Sequence, residues 1–196
     1  VPDIRTLLRE GQSLVVQVTK DPIGTKGARL TTQLSIPSRY LVFMPGVSHV
    51  GISQRIEDEA ERSRLKSLVE EGAAAEPDIS GGYIIRTAAE AASEEDLIGD
   101  MTYLHRLNQA IEERITRSQA PSVVYQDLPL FIRTIRDLIR PQTEKVRIDS
   151  RESHQRVMEF VEEFVTEFSD EVEYYPGERP IFDLYSVEDE IQKALS

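Results

Sequence analysis

At 196 residues the chain is long enough for one ordinary domain, or two small ones, with a buried core. It has no cysteine, which excludes disulfides, thiolate metal sites and cysteine nucleophiles; its three histidines, His49, His105 and His154, lie far apart without ligand spacing. A net charge of −12 argues at face value against a nucleic-acid partner. Residues 1–56, however, hold seven Lys or Arg against three acids, a balance of +4 that leaves −16 for the rest. Because screening confines each charge to roughly 8–10 Å, such a basic end can hold a phosphate chain locally.

In chain order, residues 4–10 predict a short helix stopped by Gly11, followed by β-rich runs at Ser13–Thr19 and Ala28–Ser35. The turn-rich Asp21–Gly27 segment between them predicts a hairpin connection. A third strand is expected at Arg39–Met44, ended by Pro45-Gly46. A charged helix over Glu57–Glu71, with Leu65, Leu68 and Val69 on one face, is expected to close at Gly72, and the run to Gly82 to be a loop. Tyr83–Thr87 predicts a strand. Ser93 with the acids Glu94–Asp96 has the form of an N-cap opening a long helix, whose Leu97, Met101, Leu104, Leu107, Ile111 and Ile115 make one buried stripe.

Beyond Pro121 the pattern alternates. Strands are expected at Val123–Tyr125, Lys145–Ile148 and Glu171–Tyr175, and helices over Leu130–Ile139, through Val157 to Phe168, and over Ser186–Leu195. That alternation predicts an α/β layer with some parallel pairing. No run approaches the ~20 apolar residues of a membrane span, and no basic segment precedes an apolar one. A soluble, cytoplasmic protein without a membrane partner is the expectation. With Val1 in place of an initiator Met, the chain reads as an internal fragment.

Three places offer chemistry. Lys26 sits between Gly24 and Gly27, where backbone N–H groups can approach an anion; a merely soluble hairpin tip has the same composition. Arg86-Thr87 ends an apolar strand, and an unpaired charge emerging there is costly. Its partner is either one of the chain's many acids or a phosphate, whose oxygens match the guanidinium fork. Asp149 and Asp183 each follow an apolar strand-like segment, as metal-binding carboxylates do, but Asp149-Ser150 also has the form of a helix cap. Glu159, Glu162, Glu163 and Glu167 read as a solvated helix face. No nucleophile motif and no phosphate-cradling glycine motif is present.

The segments Gly24-Thr25-Lys26-Gly27-Ala28-Arg29-Leu30-Thr31-Thr32 and Pro37-Ser38-Arg39-Tyr40-Leu41-Val42-Phe43-Met44-Pro45-Gly46 carry a resemblance. So do Gly51–Ile56, Ile84-Ile85-Arg86-Thr87-Ala88, Val146–Ser150 and Pro180–Leu184. In this order they resemble the ribonuclease E/G family over essentially the whole chain. Asp21-Pro22, Ser38-Arg39 and Ile181-Phe182-Asp183 bring it nearer the G than the E branch.

The resemblance implies an α+β fold: the C-terminal part of an OB-fold β-barrel over residues 1–32, a β/α 5′-sensor subdomain over 33–122, and a non-catalytic ribonuclease H-like α/β domain over 123–196. It implies an endoribonuclease of ribosomal RNA processing and mRNA decay, acting on single-stranded RNA, preferably 5′-monophosphorylated, and assembling as a homo-oligomer when intact. Arg86 and Thr87 match the family's phosphate-contacting pair, Ser38 and Val42 match backbone and wall positions of that pocket, and Lys26 matches an RNA-contacting lysine. Ser38 stands where some members carry glycine. The family's magnesium-binding aspartates and zinc-binding cysteines fall beyond Ser196. The resemblance therefore implies no catalytic or metal residue and no cofactor within this chain, magnesium and zinc serving only the intact enzyme, and an inactive fragment. A non-catalytic RNA-binding module and a ribonuclease H-type nuclease using Asp149 and Asp183 are the alternatives.

Overall fold

The computed structural model describes residues 3–76, 80–140 and 142–195. The chain forms two units, 1–126 and 127–196, in a mixed α+β arrangement of small open sheets. None of the described helices is long and apolar enough to cross a membrane.

Unit 1 begins with a single helical turn, α1 (Ile4–Leu7), capped by Asp3. It is shorter than the predicted 4–10 because Leu8 turns to extended backbone. The hairpin β1 (Gln17–Lys20) and β2 (Arg29–Thr31) is antiparallel, and Ile23 bridges Lys26 at its tip. The predicted strand starts four residues too early. Leu14, Val15 and Val16 have no ladder partner among the described residues and stay exposed. Further along, the Gln17 amide replaces a ladder: its Oε1 accepts the Ser35 N–H and its Nε2 donates to the Ser35 carbonyl, each at 2.9 Å.

A four-stranded sheet follows, in the order β3 (Ile36–Pro37), β4 (Leu41–Pro45), β6 (Gly81–Ile85), β5 (Val50–Ile52). β4 runs antiparallel to β3 and β6, while β5 is parallel to β6. Parallel pairing needs a crossover. Helix α2 (Glu59–Ala75), N-capped by Asp58, supplies it between β5 and β6. The period of two puts Leu41, Phe43, Tyr83 and Ile85 on one face, all buried. Helices α2 and α3 (Glu94–Arg117) contact the sheet, and Ile56, Leu65, Val69, Leu97 and Leu104 complete the core. Burying each such side chain contributes about 1.5–3 kcal/mol. The other face, with Val42, Met44 and Ile84, is only partly covered.

Gly72 does not stop α2. The helix runs on through three alanines, which favour it, and a Cβ at Gly72 would lie 2.8 Å from Met101 Sδ, so the glycine lets α3 come close. Gly81-Gly82, expected in a loop, begin β6. The short β5 is absent from the sequence expectation. Ser93 and Asp96 form the expected cap as a reciprocal capping box, and the stripe from Leu97 to Ile111 is buried as read.

In unit 2, β7 (Val146–Ile148) and β8 (Val172–Tyr174) pair in parallel through α5 (Arg151–Phe164), which Ser150 caps. Helix α4 (Leu130–Leu138) packs on α5, and Ile132, Ile135, Val157, Phe160, Val161, Phe164 and Val172 form the core. Phe168 falls in a 3₁₀ segment rather than in α5. Two further helices follow, α6 (Ile181–Leu184), which was not anticipated, and α7 (Val187–Leu195). Val123–Tyr125 is not a strand, because no other segment among the described residues pairs with it.

Candidate functional site

The carboxyl ends of the parallel strands β5 and β6 lie side by side, and in open α/β sheets that is where ligands bind. β5 is followed by Ser53 and β6 by Arg86-Thr87. Between β3 and β4 the chain turns at Ser38–Tyr40, and the register Leu41↔Ile85 brings this turn beside Arg86.

Arg86 is fixed by that turn at both ends. Its backbone N–H donates to the Tyr40 carbonyl at 2.8 Å, and its Nη1 donates to the carbonyls of Ser38 and of Arg39, the latter at 3.1 Å. Among the described residues no carboxylate pairs with Arg86, and its Nε and Nη2 make no bond to protein. The ion-pair partner that bare sequence allowed is therefore not seen. The backbone at Arg86 is extended, so its side chain leaves on the same face as Ile84 and Val42, the open face of the sheet. An exposed cation thus stands beside two apolar side chains, with one edge of its fork directed to carbonyl oxygens and the other uncommitted.

Thr87 Oγ1 lies 3.0 Å from Ser53 Oγ, which also accepts the Arg55 N–H at 3.3 Å. Either hydroxyl can be the donor of the pair. With Ser53 donating, the Thr87 hydrogen is free to turn to an anion. The loop is anchored from below by Arg62, whose Nη1 donates to the carbonyls of Ser53 (2.9 Å) and Ile56 (2.8 Å). Behind Thr87, Glu61 accepts the N–H of Ala91, a residue at φ 61°, and pairs with Arg64, which donates to the Ala92 carbonyl. Those donors hold the Glu61 carboxyl down to about 2.

Ser38 is wholly buried. Its side chain points away from Arg86 and reaches the carboxylate of Asp100 on α3, 2.5 Å from Oδ2. Asp100 is itself buried and accepts three consecutive backbone N–H groups, those of Arg39 (3.3 Å), Tyr40 (2.9 Å) and Leu41 (2.9 Å). Burial pushes its carboxyl above the usual range, with the four donors pulling the other way. Arg39 stacks on the ring of Tyr40, 4.5 Å from the centroid.

Of the sequence-predicted residues, Ser38, Val42, Arg86 and Thr87 are thus gathered at one end of the sheet. Lys26 shares none of these contacts and is exposed at the hairpin tip. Near it, Lys20 and Arg29 are directly opposite one another across β1 and β2, and no carboxylate pairs with either among the described residues. Asp100, Ser53 and Ile84 were not anticipated. The signal for Asp100 was present, since it is an acid on the buried stripe, three residues after Leu97. In unit 2, Asp149 and Asp183 are exposed, and no group of three or more His, Asp or Glu gathers as a metal-ligand set among the described residues. A shallow cleft there, lined by Lys145, Arg147, Phe182 and Tyr185, has its cations engaged by Glu173.

Residues 35–196 match the sequence model of the Ribonuclease E/G family. The chain belongs to the ribonuclease E/G family. It is 53% identical over 195 residues to the Ribonuclease G of Salmonella typhimurium (strain SL1344) and 52% identical to that of Haemophilus influenzae (strain ATCC 51907 / DSM 11121 / KW20 / Rd), each alignment covering 100% of this chain and 39% of the relative. With the Ribonuclease E of Escherichia coli (strain K12) the identity is 34% over 200 residues, covering 99% of this chain and 18% of the relative. The higher identity to the G proteins agrees with the leaning read from Asp21-Pro22, Ser38-Arg39 and Ile181–Asp183. The chain spans 39% of the length of the Ribonuclease G relatives it matches.

Proposed function

We propose that this chain is part of a cytoplasmic, single-strand-specific endoribonuclease of ribosomal RNA processing and mRNA decay, and that unit 1 recognises the 5′-monophosphate of the RNA. Residues 1–32 are the end of an OB-fold, 33–122 the 5′ sensor and 123–196 a non-catalytic ribonuclease H-like scaffold. The observation that carries the reading is Arg86. Its guanidinium is oriented by neutral carbonyls, has no carboxylate partner among the described residues, and keeps Nε and Nη2 uncommitted, and the next residue in the chain, Thr87, carries a hydroxyl. A terminal phosphate can accept both Nε–H and Nη2–H, the bidentate geometry that arginine favours.

Val42 and Ile84 give the first nucleotide an apolar wall on the same face. Ser38 contributes its carbonyl to the clamp on Arg86 rather than its hydroxyl to the ligand. Lys26, with Lys20 and Arg29, attracts the phosphate chain at the hairpin without reading sequence. The magnesium and zinc implied for the intact enzyme are assigned to no residue here, since the described carboxylates do not gather into a ligand set.

The test is the affinity of the full-length protein for a short single-stranded RNA with a 5′-monophosphate and for the same RNA with a 5′-hydroxyl. The monophosphate is expected to bind more tightly by roughly 1–3 kcal/mol, the scale of a charge-assisted contact, and Arg86→Ala to remove the difference. Equal affinities in the wild type would refute the sensor reading.

A further inference from the structure

We infer that Asp100 is a positioning residue of the phosphate site, acting on Arg86 through three peptide groups; the inference rests on the phosphate reading of Arg86. In a trans peptide the C=O and N–H point in opposite directions. The N–H of Arg39 belongs to the same peptide plane as the carbonyl of Ser38, that of Tyr40 to the carbonyl of Arg39, and that of Leu41 to the carbonyl of Tyr40. All three N–H groups donate to the Asp100 carboxylate. All three carbonyls accept from Arg86, two from Nη1 and one from its backbone N–H. Three consecutive peptides are therefore held between a buried carboxylate and an exposed guanidinium.

Two consequences follow from general physical chemistry. First, the carboxylate fixes the planes of all three peptides, and with them the direction of the carbonyls that hold Nη1. The guanidinium plane, and so the direction of the Nε and Nη2 hydrogens, is set from α3 on the far side of the turn. Second, hydrogen bonds in series polarise one another, so each carbonyl that faces Arg86 is a better acceptor for having a charged acceptor on its N–H. The negative charge also stays out of reach of the ligand. An acid paired directly with Arg86 would compete with a phosphate for the fork. Here the acid stabilises and orients the cation while leaving its outer edge open.

Ser38 adds a fourth donor to Asp100 through its hydroxyl, while its backbone N–H donates to the Leu41 carbonyl at 2.9 Å and ties the turn. The arrangement needs an acid at one position of a stripe that is otherwise apolar, which explains why α3 buries a charge it does not need for packing.

The test is the ratio of affinities of the full-length protein for 5′-monophosphorylated and 5′-hydroxyl forms of one RNA, measured for wild type, Arg86→Ala, Asp100→Asn and Asp100→Glu. Asparagine can keep an oxygen where Oδ2 accepts from Ser38, Tyr40 and Leu41, so Asp100→Asn removes the charge and the Arg39 contact with the least disturbance of the turn. The ratio is expected to fall roughly three- to tenfold in Asp100→Asn, within the range of couplings for groups in one hydrogen-bond network, while affinity for the 5′-hydroxyl RNA stays close to wild type. A merely structural role would lower the two affinities together and leave the ratio unchanged, and that result overturns the inference. Should Asp100→Asn not fold, Asp100→Glu carries the same test: it keeps the charge but displaces it by one methylene, so a lowered ratio supports positioning and an unchanged ratio overturns it. If Arg86→Ala leaves the ratio intact, the phosphate reading itself fails. If Arg86→Ala abolishes it and neither Asp100 variant lowers it, only the role of Asp100 fails.

Discussion

The hydroxyl of Tyr83 and Nε2 of His105 meet at 2.5 Å on the buried side of the four-stranded sheet, with the ring of Phe43 5.3 Å from that of Tyr83. Burial raises Tyr83 to about 12 and lowers the proton affinity of His105, the latter opposed by Glu76. Either the phenol O–H or the imidazole Nε2–H can be the donor of this bond, according to the His105 tautomer. A histidine whose folded pKa lies below its unfolded value, near 6.5, contributes stability that is present above that value and lost as the pH falls below it. Thermal melts between pH 7.5 and 5 are expected to show this loss, and His105→Gln to flatten it. A variant that melts with the wild-type pH dependence would show that another group is responsible.

Acid should act on unit 1 a second time, through Glu61. Its carboxyl is held at about 2 by Arg64 and the Ala91 N–H, against an ordinary value of 4.5. A depressed acid contributes stability above its unfolded value and loses it as the pH falls from there to the folded one. Glu61→Gln is expected to melt lower than wild type at pH 7, with the gap closing between pH 4.5 and about 2. A gap that stays constant down to pH 2 would count against the clamp.

Two glycines predict opposite outcomes. A Cβ at Gly82 would fall 2.6 Å from the Val47 carbonyl and 2.8 Å from the His49 nitrogen, and backbone cannot step aside. Gly82→Ala should cost about 3 kcal/mol or more, the upper range for overpacking. At Gly72 the obstacle is the end of the flexible Met101 side chain, and alanine gains about 0.5–1 kcal/mol over glycine inside a helix. Gly72→Ala should stay within about 1 kcal/mol of wild type in denaturant melts.

The hairpin cations predict a salt effect. Like charges opposite one another on a hairpin oppose folding, and Lys20 faces Arg29 with Lys26 beyond. If these groups neutralise RNA phosphates, Lys26→Ala should weaken binding of all sequences alike. It should also reduce the slope of log affinity against log salt by about 0.7, the value for one contact on a single strand. An unchanged slope would remove Lys26 from the RNA path.

Much of this was legible from residue order and some was not. Helix α3 announced itself twice, by Ser93 with Asp96 and by a stripe at helical spacing, and both survive folding because they are local. Arg86-Thr87 could be singled out because a polar pair ends an apolar strand. The grip on Arg86 was not legible: it depends on β4 lying beside β6 with Leu41 opposite Ile85, a pairing between residues more than forty positions apart. Gly72 was misread because a glycine that ends a helix and one that admits a neighbouring helix look alike in one dimension. Residues 13–16 were over-read as strand because β-rich composition does not supply a partner. Asp100 was the missed clue, an acid where the stripe called for an apolar residue.

Whether Arg86 receives the terminal phosphate is read most directly from a crystal structure of the full-length protein with a short 5′-monophosphorylated RNA. The terminal phosphate is expected to accept from Nε and Nη2 of Arg86 and from the Thr87 hydroxyl, with Nη1 still bound to the Ser38 and Arg39 carbonyls and the first base against Val42 and Ile84. A phosphate seated elsewhere, with Arg86 unchanged and solvated, would contradict it.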